Sequence, residues 1–413
     1  MAADPTAESA VVAEVMAALA SGAGQAHPYP HYARLRALGP TVTAPDGALL
    51  VVGHRACSAL LRDHRLTKSP GLALAAAGYP DWVDRPSLRM MFGSILMLNP
   101  PAHTRLRSIV SGAFTARRVA ALRPAVQRIV DDLCDQLAGD TDFVATMAFP
   151  LPVTVIGELL GIPTADRPQF QTLVRDWAMV LELLSPLAVD TADVAATQIA
   201  DYLEHLAEER RMHPRDDLVS ALVGNEGDDR LSGDELVTML ALLLAAGFET
   251  TTGLLTNGLL ALLAHPAQAS WLRAHPEAAA VAVEELLRYD SPVQMLFGRR
   301  ATGQLDLPEL SVTAGQRVIT LLGAANRDPA VFDEPDALRL DRAGPAHVSF
   351  GGGIHYCLGA PLARLEASVA FPTLLRRFQR MELAGDPVHR QGLALHGHTA
   401  LPLHASSAGS VGI

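Results

Sequence analysis

The feature that most constrains the fold is a long apolar segment over residues 232–264. It opens on Ser232-Gly-Asp-Glu235, a capping box in which two side chains satisfy free helix N–H groups reciprocally, and His265-Pro266 closes it. At 1.5 Å per residue this helix would be about 50 Å long. A membrane span is the alternative, but Glu249 interrupts the middle of the segment, where a charge costs roughly 3 kcal/mol in a bilayer. The segment therefore predicts a buried helix that crosses a large domain.

Most of the remaining chain shows helical spacing of apolar residues, punctuated by Gly and Pro. Residues 68–98 have weak periodicity, which predicts a loop. Strand signals are short and lie near residues 41–52, 305–312, 317–321 and 393–403, the last as a terminal hairpin. With no repeat or linker in the chain, we expect a mainly α fold with minor β. The predicted organisation is a disordered or loosely packed N-terminus over 1–24, one domain over 25–405 and a C-terminal tail over 406–413.

Charge and cysteine content exclude several classes of protein. The net charge of −11 lacks the basic footprint of a nucleic-acid binder. Lys68 is the only lysine, so the chain has no GxxxxGK[ST] phosphate loop, and a pyridoxal enzyme would have one candidate for its Schiff base. Three cysteines without a CxxC pair do not form a disulfide framework. The start of the chain lacks a signal-peptide pattern, so we expect a cytoplasmic protein without a membrane anchor.

Cys357 lies in a glycine-rich segment, Phe350-Gly-Gly-Gly-Ile-His-Tyr-Cys357-Leu-Gly359, just before the last predicted helix. The glycines allow the backbone to approach a flat ligand closely. A thiolate at a helix N-terminus is stabilised by the free N–H groups and the helix dipole, as an anionic metal ligand requires. The residues alone leave two other interpretations open: a dinucleotide loop, although its third glycine is missing, and an inert buried thiol. We expect the inert state for Cys57 and Cys134.

The segment has the pattern F-x-x-G-x-H-x-C-x-G, formed by Phe350, Gly353, His355, Cys357 and Gly359. This pattern resembles the haem-binding loop of the cytochrome P-450 family. The resemblance implies that Cys357 ligates the iron of haem b and that the loop, with Gly351, contacts the cofactor. It also implies the fold of that family, with a long central helix I and the cysteine-ligand loop before helix L. A thiolate ligand pushes electron density onto the iron and favours O–O cleavage.

Two further motifs support the resemblance. Glu285-Leu-Leu-Arg288 resembles the family's ExxR, which implies a buried pair that braces the cysteine loop, although such a pair alone is commonly a solvated one. Ala246-Gly-Phe-Glu249-Thr250 resembles AGxET of helix I. It implies that Ala246 borders the haem and that Glu249 and Thr250 are catalytic, delivering protons through water to the oxygen site. The alternative is a threonine cluster that bonds to helix carbonyls.

Residues 98–107 resemble the family's DPPEHTRLR, with Asn99 and Ala102 in place of the usual acids, so we expect a weaker cap there. His103 and Arg107 lie four residues apart on one helix face. The resemblance implies that this face binds a haem propionate, because charge-assisted bonds to carboxylates are strong.

A second propionate ligand is implied by residues 291–301, which resemble the strand after helix K. The family spacing R-x-A selects Arg299 rather than Arg300. The stretch is one residue longer than usual.

The segments that recognise substrate in the family are mostly apolar here, which suits a lipophilic small molecule such as a polyketide or another secondary metabolite. His398, in the terminal turn, is expected to bond a polar group of the substrate, the alternatives being a solvent-facing ring or a bond to a backbone carbonyl. The predicted pocket residues are Leu96, Met97, Leu242, Ala246, Val293, Met295, Leu296 and His398.

The resemblance implies a monooxygenase that inserts one atom of O₂ into its substrate. No flavin or nicotinamide motif is present, so we expect two electrons to arrive from a ferredoxin and a ferredoxin reductase. We also expect the protein to be a monomer. A basic docking patch is expected, with ordinary solvated charge as the alternative. Two other functions stay open: a haem-thiolate sensor or carrier without turnover, and a peroxide-driven variant, which commonly lacks the acid–alcohol pair. The candidates for the patch are Arg105, Arg117, Arg118 and Arg364.

Overall fold

The computed structural model describes residues 5–181, 186–224, 230–307 and 309–407. The mainly α fold with minor β is confirmed. The helices are α1 (Pro5–Ala20), α2 (Gly22–Ala26), α3 (Tyr29–Arg36), α4 (His54–Arg62), α5 (Pro70–Ala76), α6 (Pro86–Phe92), α7 (Ala102–Ala113), α8 (Ala116–Ala121), α9 (Arg123–Asp135), α10 (Pro150–Leu160), α11 (Arg167–Ala178), α12 (Pro186–Met212), α13 (Leu218–Val223), α14 (Gly233–Ala264), α15 (Pro266–Ala274), α16 (Ala279–Tyr289), α17 (Leu322–Ala325) and α18 (Ala360–Arg377).

The strands are short. They are β1 (Thr41–Thr43), β2 (Leu49–Val51), β3 (Leu66–Lys68), β4 (Gly139–Asp142), β5 (Met295–Ala301), β6 (Leu305–Leu307), β7 (Leu310–Val312), β8 (Arg317–Leu321), β9 (Arg380–Leu383), β10 (Val388–His389), β11 (His398–Ala400) and β12 (Pro402–Ser406).

Helix α14 is the centre of the helical part of the molecule. Its predicted capping box is confirmed, with Ser232 Oγ accepting from Glu235 N at 3.2 Å and Glu235 Oε2 accepting from Ser232 N at 2.9 Å. The helix packs against α10, α11, α12, α16 and α18. In the described part of the chain it is the one helix long and apolar enough to cross a membrane, but 72% of its most apolar stretch is buried inside the protein. A buried core helix passes the same test of length and composition.

Helices α14 and α18 approach closely at Gly258, where a Cβ would overlap the ring of Phe371. Phe371 is itself fully buried, so its ring has little space into which to move. This contact holds α18, which follows the cysteine loop, against the central helix.

The largest sheet lies beside the helices, with strand order β1-β2-β8-β5-β3. Strands β2 and β8 run parallel, and the other neighbours are antiparallel. Strand β5 has one extra residue between Leu296, which pairs with Thr320, and Arg299, which pairs with Val318. This bulge contains Gly298 at φ 74°, in the left-handed region that favours glycine. The bulge accounts for the extra residue noted in the sequence.

The N-terminal segment differs from the prediction of a disordered or loosely packed region over 1–24. Its described part forms α1 and α2, and α1 buries Val12, Val15 and Leu19 in one cluster with Tyr32 and Leu35. These three apolar residues are spaced by three and four, so they share one helix face. The alanine-rich composition obscured that spacing.

Two other predictions are corrected. Residues 68–98 contain α5 and α6, each opening on a proline, and tertiary hydrogen bonds fix the segment: Trp177 Nε1 donates to Ser87 O at 3.0 Å, and Ser87 N donates to Asp193 Oδ1 at 2.9 Å. The terminal strands do not form a hairpin, because β11 pairs with β10, whereas β12 pairs with β4 and β9. Both corrections depend on partners that are distant in sequence.

We expect Gly258→Ala to lower the thermal unfolding midpoint. Overlap with the Phe371 ring costs about 1–3 kcal/mol, which outweighs the gain of roughly 1 kcal/mol from replacing a glycine within a helix. The matched control is Gly112→Ala in α7, where a Cβ meets no atom within 4 Å, and it should leave the midpoint unchanged or raise it. A Gly258→Ala protein at least as stable as the parent would contradict the close contact.

Candidate active site

The cysteine loop is a tight turn that ends at the head of α18. Cys357 N donates to Phe350 O at 3.0 Å, Gly351 N donates to Val348 O at 2.8 Å, and Ala360 N donates to Cys357 O at 3.4 Å. Gly353 has φ 64°, and a Cβ there would overlap the carbonyl oxygen of Leu61 in α4. The loop therefore needs glycine at this position in order to pack against α4.

Cys357 is exposed to solvent, yet burial by the surrounding protein raises the pKa of its thiol. The backbone N–H groups of Gly359 and Ala360 and the guanidinium groups of Arg107 and Arg364 oppose that increase. A side chain that lines a depression has both properties. The setting offers N–H groups and positive charge to a thiolate, as a metal-ligating cysteine requires.

The other cysteines lie in a different environment. Cys57 and Cys134 are buried, and burial raises the pKa of each thiol well above its usual value. They have the properties of small apolar core residues.

Helix α14 has an exposed position in the middle of its buried length. Ala246 is exposed between the buried residues Ala245 and Phe248, and Thr250, one turn later, is partly exposed on the same face. Thr250 Oγ1 donates to Ala246 O at 3.0 Å. This face of α14 therefore borders open space at the position of the predicted oxygen site.

Glu249 has a basic partner that the local sequence does not indicate. Its carboxylate accepts a hydrogen bond from Arg390, 141 residues away. Burial raises the pKa of Glu249, while Arg390 and Arg175 oppose the increase. No direct hydrogen bond joins Glu249 to Thr250 in the part of the chain that the structure describes.

Four predicted cofactor-binding side chains form what we call the cationic cluster, in which two arginines carry the charge and two histidine rings pack beside them. The rings of His103 and His355 lie 4.4 Å apart between centroids, and Arg107 Nη2 donates to Tyr356 O at 2.8 Å, beside Cys357. Arg299 reaches the cluster from β5. His103 and Arg299 are 2% and 4% exposed, and His103 Nδ1 and Arg299 Nε have no hydrogen-bond partner among the described residues.

Burial lowers the pKa of Arg299 to about 10 and, with neighbouring cations, that of His355 to about 3. Within the described residues, neither forms an ion pair with Asp or Glu. With this pKa the His355 ring is neutral, whereas the Arg299 guanidinium keeps its charge, and a buried charge without an acid is costly unless an anion reaches it. The two propionates of a haem are such anions, so these residues fit the cofactor. Arg300, by contrast, is partly exposed and donates from Nη1 to Gly315 O at 2.8 Å.

Glu285 and Arg288 are both buried and form a bidentate pair, with Nε–Oε2 at 2.7 Å and Nη2–Oε1 at 2.9 Å. Arg342, which no motif indicated, adds its Nε at 3.1 Å from both Glu285 oxygens. Arg288 Nη1 also donates to Asn326 O at 3.0 Å and to Pro335 O at 2.7 Å. The acid therefore joins α16 to the segment that precedes the cysteine loop.

The same network reaches the cysteine loop through Asn326. Its side chain accepts from Val348 N at 2.8 Å and donates to Ser349 Oγ at 2.7 Å, and Ser349 Oγ donates to Leu287 O at 2.8 Å. Phe350 follows directly. Helix α16 is thus tied by hydrogen bonds to the start of the loop that carries Cys357.

The predicted pocket residues divide into groups. Leu242 is buried in the main helical core, and Leu96 and Met97 pack against that core. Val293 and Leu296 instead pack against a second core cluster, which includes Leu49, Val51 and Val318 of the sheet. Met295 belongs to neither group, which corrects the prediction that it lines the pocket.

Met295 is buried on the other face of β5, in the cluster with Val12 and Leu321. Adjacent strand residues point to opposite faces, so Met295 and Leu296 cannot line the same pocket. The sequence pattern gave both as apolar and could not distinguish their faces.

His398 is buried in a group of histidine rings. Its centroid lies 4.2 Å from that of His389 and 6.5 Å from that of His396, and its Nδ1 has no partner among the described residues. Burial, followed by the two neighbouring rings, lowers the pKa of His398 to about 3. The ring is therefore neutral at physiological pH, and its contact with substrate stays a prediction.

Three of the four arginines expected in a docking patch have acidic partners. Arg105 pairs with Glu235, Arg118 with Asp216 at 3.4 Å, and Arg364 with Glu284 at 2.6 Å. Arg364 also lies over the Phe350 ring at 4.4 Å, so it acts as part of the loop's support. Arg117 is exposed.

Comparison with known proteins agrees with this fold and site. The sequence pattern described as Cytochrome P450 matches residues 65–275 and 277–393. The polyketide biosynthesis cytochrome P450 PksS of Bacillus subtilis is 39% identical, over 87% of this chain and 89% of its own. The cytochrome P450 monooxygenase PikC of Streptomyces venezuelae is 40% identical, over 92% and 91%. The crystal structure of P450BioI in complex with hexadec-9Z-enoic acid ligated acyl carrier protein superposes with a TM-score of 0.86 at 34% identity, covering 93% of this chain and all of that one.

Fold and site define a haem-thiolate oxidoreductase. The chain belongs to the cytochrome P450 family. Its relatives include monooxygenases and hydroxylases, and the chain is accordingly an enzyme that incorporates oxygen into a substrate. The cofactor of the family is a haem with iron bound to a thiolate.

We expect Glu285→Gln to destabilise the protein strongly. Neutralising the acid leaves two buried guanidinium groups without compensation, and breaking a buried pair costs about 3–5 kcal/mol. Denaturant unfolding measures the loss. Glu334→Gln is the control, because its pair with Arg339 at 3.5 Å is exposed and exposed pairs contribute little. Equal stability of the two variants would show that the Glu285 network does not brace the fold.

Proposed function

We propose that this enzyme hydroxylates or epoxidises a lipophilic small molecule, such as a polyketide or another secondary metabolite, in the cytoplasm. It uses haem b, O₂ and two electrons from a ferredoxin and its reductase. The observation that carries the proposal is an exposed cysteine at the head of α18, close to a buried cationic cluster that lacks protein acids. Relatives that are named for polyketide biosynthesis and polyketide-type hydroxylation support the substrate class.

Cys357 holds the iron, and the residues of the cationic cluster hold the propionates: His103, Arg107, Arg299 and His355. When bound, the haem activates O₂ and supplies the oxidising chemistry. The glycines of the loop from Phe350 to Gly359 would let its backbone approach the haem closely. Arg107 contributes twice, because its guanidinium is close enough to Cys357 to lower the thiol pKa and also lies in the cationic cluster.

Proton delivery falls to two side chains on α14. Thr250 Oγ1 donates its hydrogen to Ala246 O. The same hydroxyl oxygen can still accept a hydrogen bond from a donor on the exposed side of the helix. Glu249 is buried, and its raised pKa brings proton exchange closer to neutral pH than for an exposed carboxyl. Because no hydrogen bond joins the two side chains among the described residues, we expect water to join them.

Substrate is oriented chiefly by apolar contacts. Leu96, Met97 and Leu242 belong to the helical core, and Val293 and Leu296 approach from β5 and the residues before it. Met97 adds a flexible, polarisable surface that adapts to an irregular ligand. Such a lining excludes water and favours a bulky lipophilic molecule.

We expect Cys357→Ala to abolish the haem-thiolate absorbance of the reduced, CO-bound protein, because no other thiol is placed to replace it. Cys134→Ala, which removes a buried thiol within α9, should keep that spectrum unchanged. A thiolate-type spectrum in the Cys357→Ala protein would refute the ligand assignment.

We expect Thr250→Ala to uncouple electron use from product formation. The variant should still consume reduced partner and O₂ but release peroxide, because a proton donor at the oxygen site is lost. Glu249→Gln should slow turnover, since the amide cannot exchange the proton. Product per electron and peroxide are measured with surrogate ferredoxin and reductase. The two-residue relay is excluded if both variants match the parent, and a substrate-bound parent that never consumes electrons would instead favour a sensor or carrier.

A further inference from the structure

Lys68, the only lysine in the chain, has no role in the site described so far. It ends β3 and pairs directly with Arg299 across the antiparallel ladder. Directly opposed residues project to the same face of a sheet. Lys68 is 7% exposed, which is unusual for a residue that is almost never fully buried without a partner.

The backbone of Lys68 is clamped by one side chain. Lys68 N donates to Asn99 Oδ1 at 2.8 Å, and Asn99 Nδ2 donates to Lys68 O at 2.8 Å. Asn99 lies three residues before α7, the helix that carries His103 and Arg107. The clamp thus ties the end of β3 to both parts of the cationic cluster, the α7 face and β5.

Asn99 stands where the family pattern DPPEHTRLR, which this segment resembles, has an acid, and an amide can form both bonds. A carboxylate at this position could accept from Lys68 N, but it has no hydrogen to donate to Lys68 O. From the sequence we expected Asn99 to weaken a helix cap. In the structure Asn99 has a different role, which is to position Lys68.

The charges around Lys68 have one sign. Burial and, to a smaller extent, the charge of Arg299 together lower the pKa of Lys68 to about 7. The Lys68 ammonium is in turn the strongest charged influence that lowers the pKa of His355. Among the described residues, no Asp or Glu pairs with Lys68, and a buried ammonium without an anion is costly. The side chain is therefore poised for an anion that the chain itself does not supply.

We propose that the Lys68 ammonium is a further ligand of a haem propionate, bound together with Arg299, and that Asn99 is the residue that positions it. The inference rests on the proposed binding of haem by Cys357 and the cationic cluster. It adds a fifth basic side chain to that cluster, from a strand that no motif marks.

The test compares haem retention with two cofactors. Holoprotein is prepared with haem b or with its dimethyl ester, whose propionates are neutral, and the rate of haem transfer to excess apomyoglobin is measured. Lys68→Met should transfer haem b about tenfold faster than the parent, since it loses a charge-assisted hydrogen bond. With the dimethyl ester, the parent and variant rates should agree within about twofold, because the partner charge is already absent.

Three matched variants sharpen the comparison. Lys68→Arg keeps the charge and should stay near the parent rate with haem b. Arg380→Met, an exposed arginine of β9 whose partner is Glu382, deletes a positive charge outside the cluster and should have no effect. Asn99→Ala should reproduce part of the Lys68→Met effect with haem b and none of it with the ester.

Each outcome decides the proposal. Faster transfer by Lys68→Met with both cofactors would mean a structural role and overturn it, as would a parent-like rate with haem b. If Lys68→Met yields too little holoprotein, Lys68→Gln, which keeps most of the side-chain length, enters the same comparison. The thiolate spectrum of the CO-bound parent reports separately on Cys357, so a failure of the haem-site assignment is distinguishable from a failure at Lys68.

Discussion

The bidentate pair between Glu285 and Arg288 is the interaction on which the architecture of the site depends. The Glu285 carboxylate faces two guanidinium groups, those of Arg288 and Arg342. Other N–H groups of these arginines donate to main-chain carbonyls. A buried ion-pair network offsets the cost of its desolvation only when nearly every donor and acceptor is hydrogen-bonded. Because the carbonyls belong to the segment that leads into the cysteine loop, satisfying the charges also fixes where that loop begins.

The cationic cluster follows the opposite rule. There the buried charges of Lys68 and Arg299 have the same sign and no acidic partner among the described residues, so the protein stores an electrostatic cost that an anionic ligand removes. A ligand that binds only the folded state stabilises that state by mass action. On the proposed site, haem binding and folding would be coupled in this chain, through the propionates as well as through the thiolate of Cys357.

The sequence predicted those parts of the fold and site that depend on local pattern. The capping box of α14 and the face shared by His103 and Arg107 follow from spacing within a single element, whereas the preference for Arg299 rests on the resemblance to the family. The Arg390 partner of Glu249, the face of Met295 and the burial of α1 each depend on a contact made across the chain. Spacing cannot report such a contact, because a side chain's partner there is chosen by packing and not by sequence distance.

The segment from β10 to β11 shows how contacts that the sequence does not indicate affect function. Arg390 and the histidine group around His398 come from β10, β11 and the short connection between them, so one segment sets both the charge beside Glu249 and the polar surface near α14. On the proposed mechanism, a change in this segment would alter proton delivery and the surface around His398 together. Because the pKa of Glu249 is raised by burial and lowered by Arg390, the balance between the two, and not the presence of the acid alone, determines at what pH the carboxyl exchanges its proton.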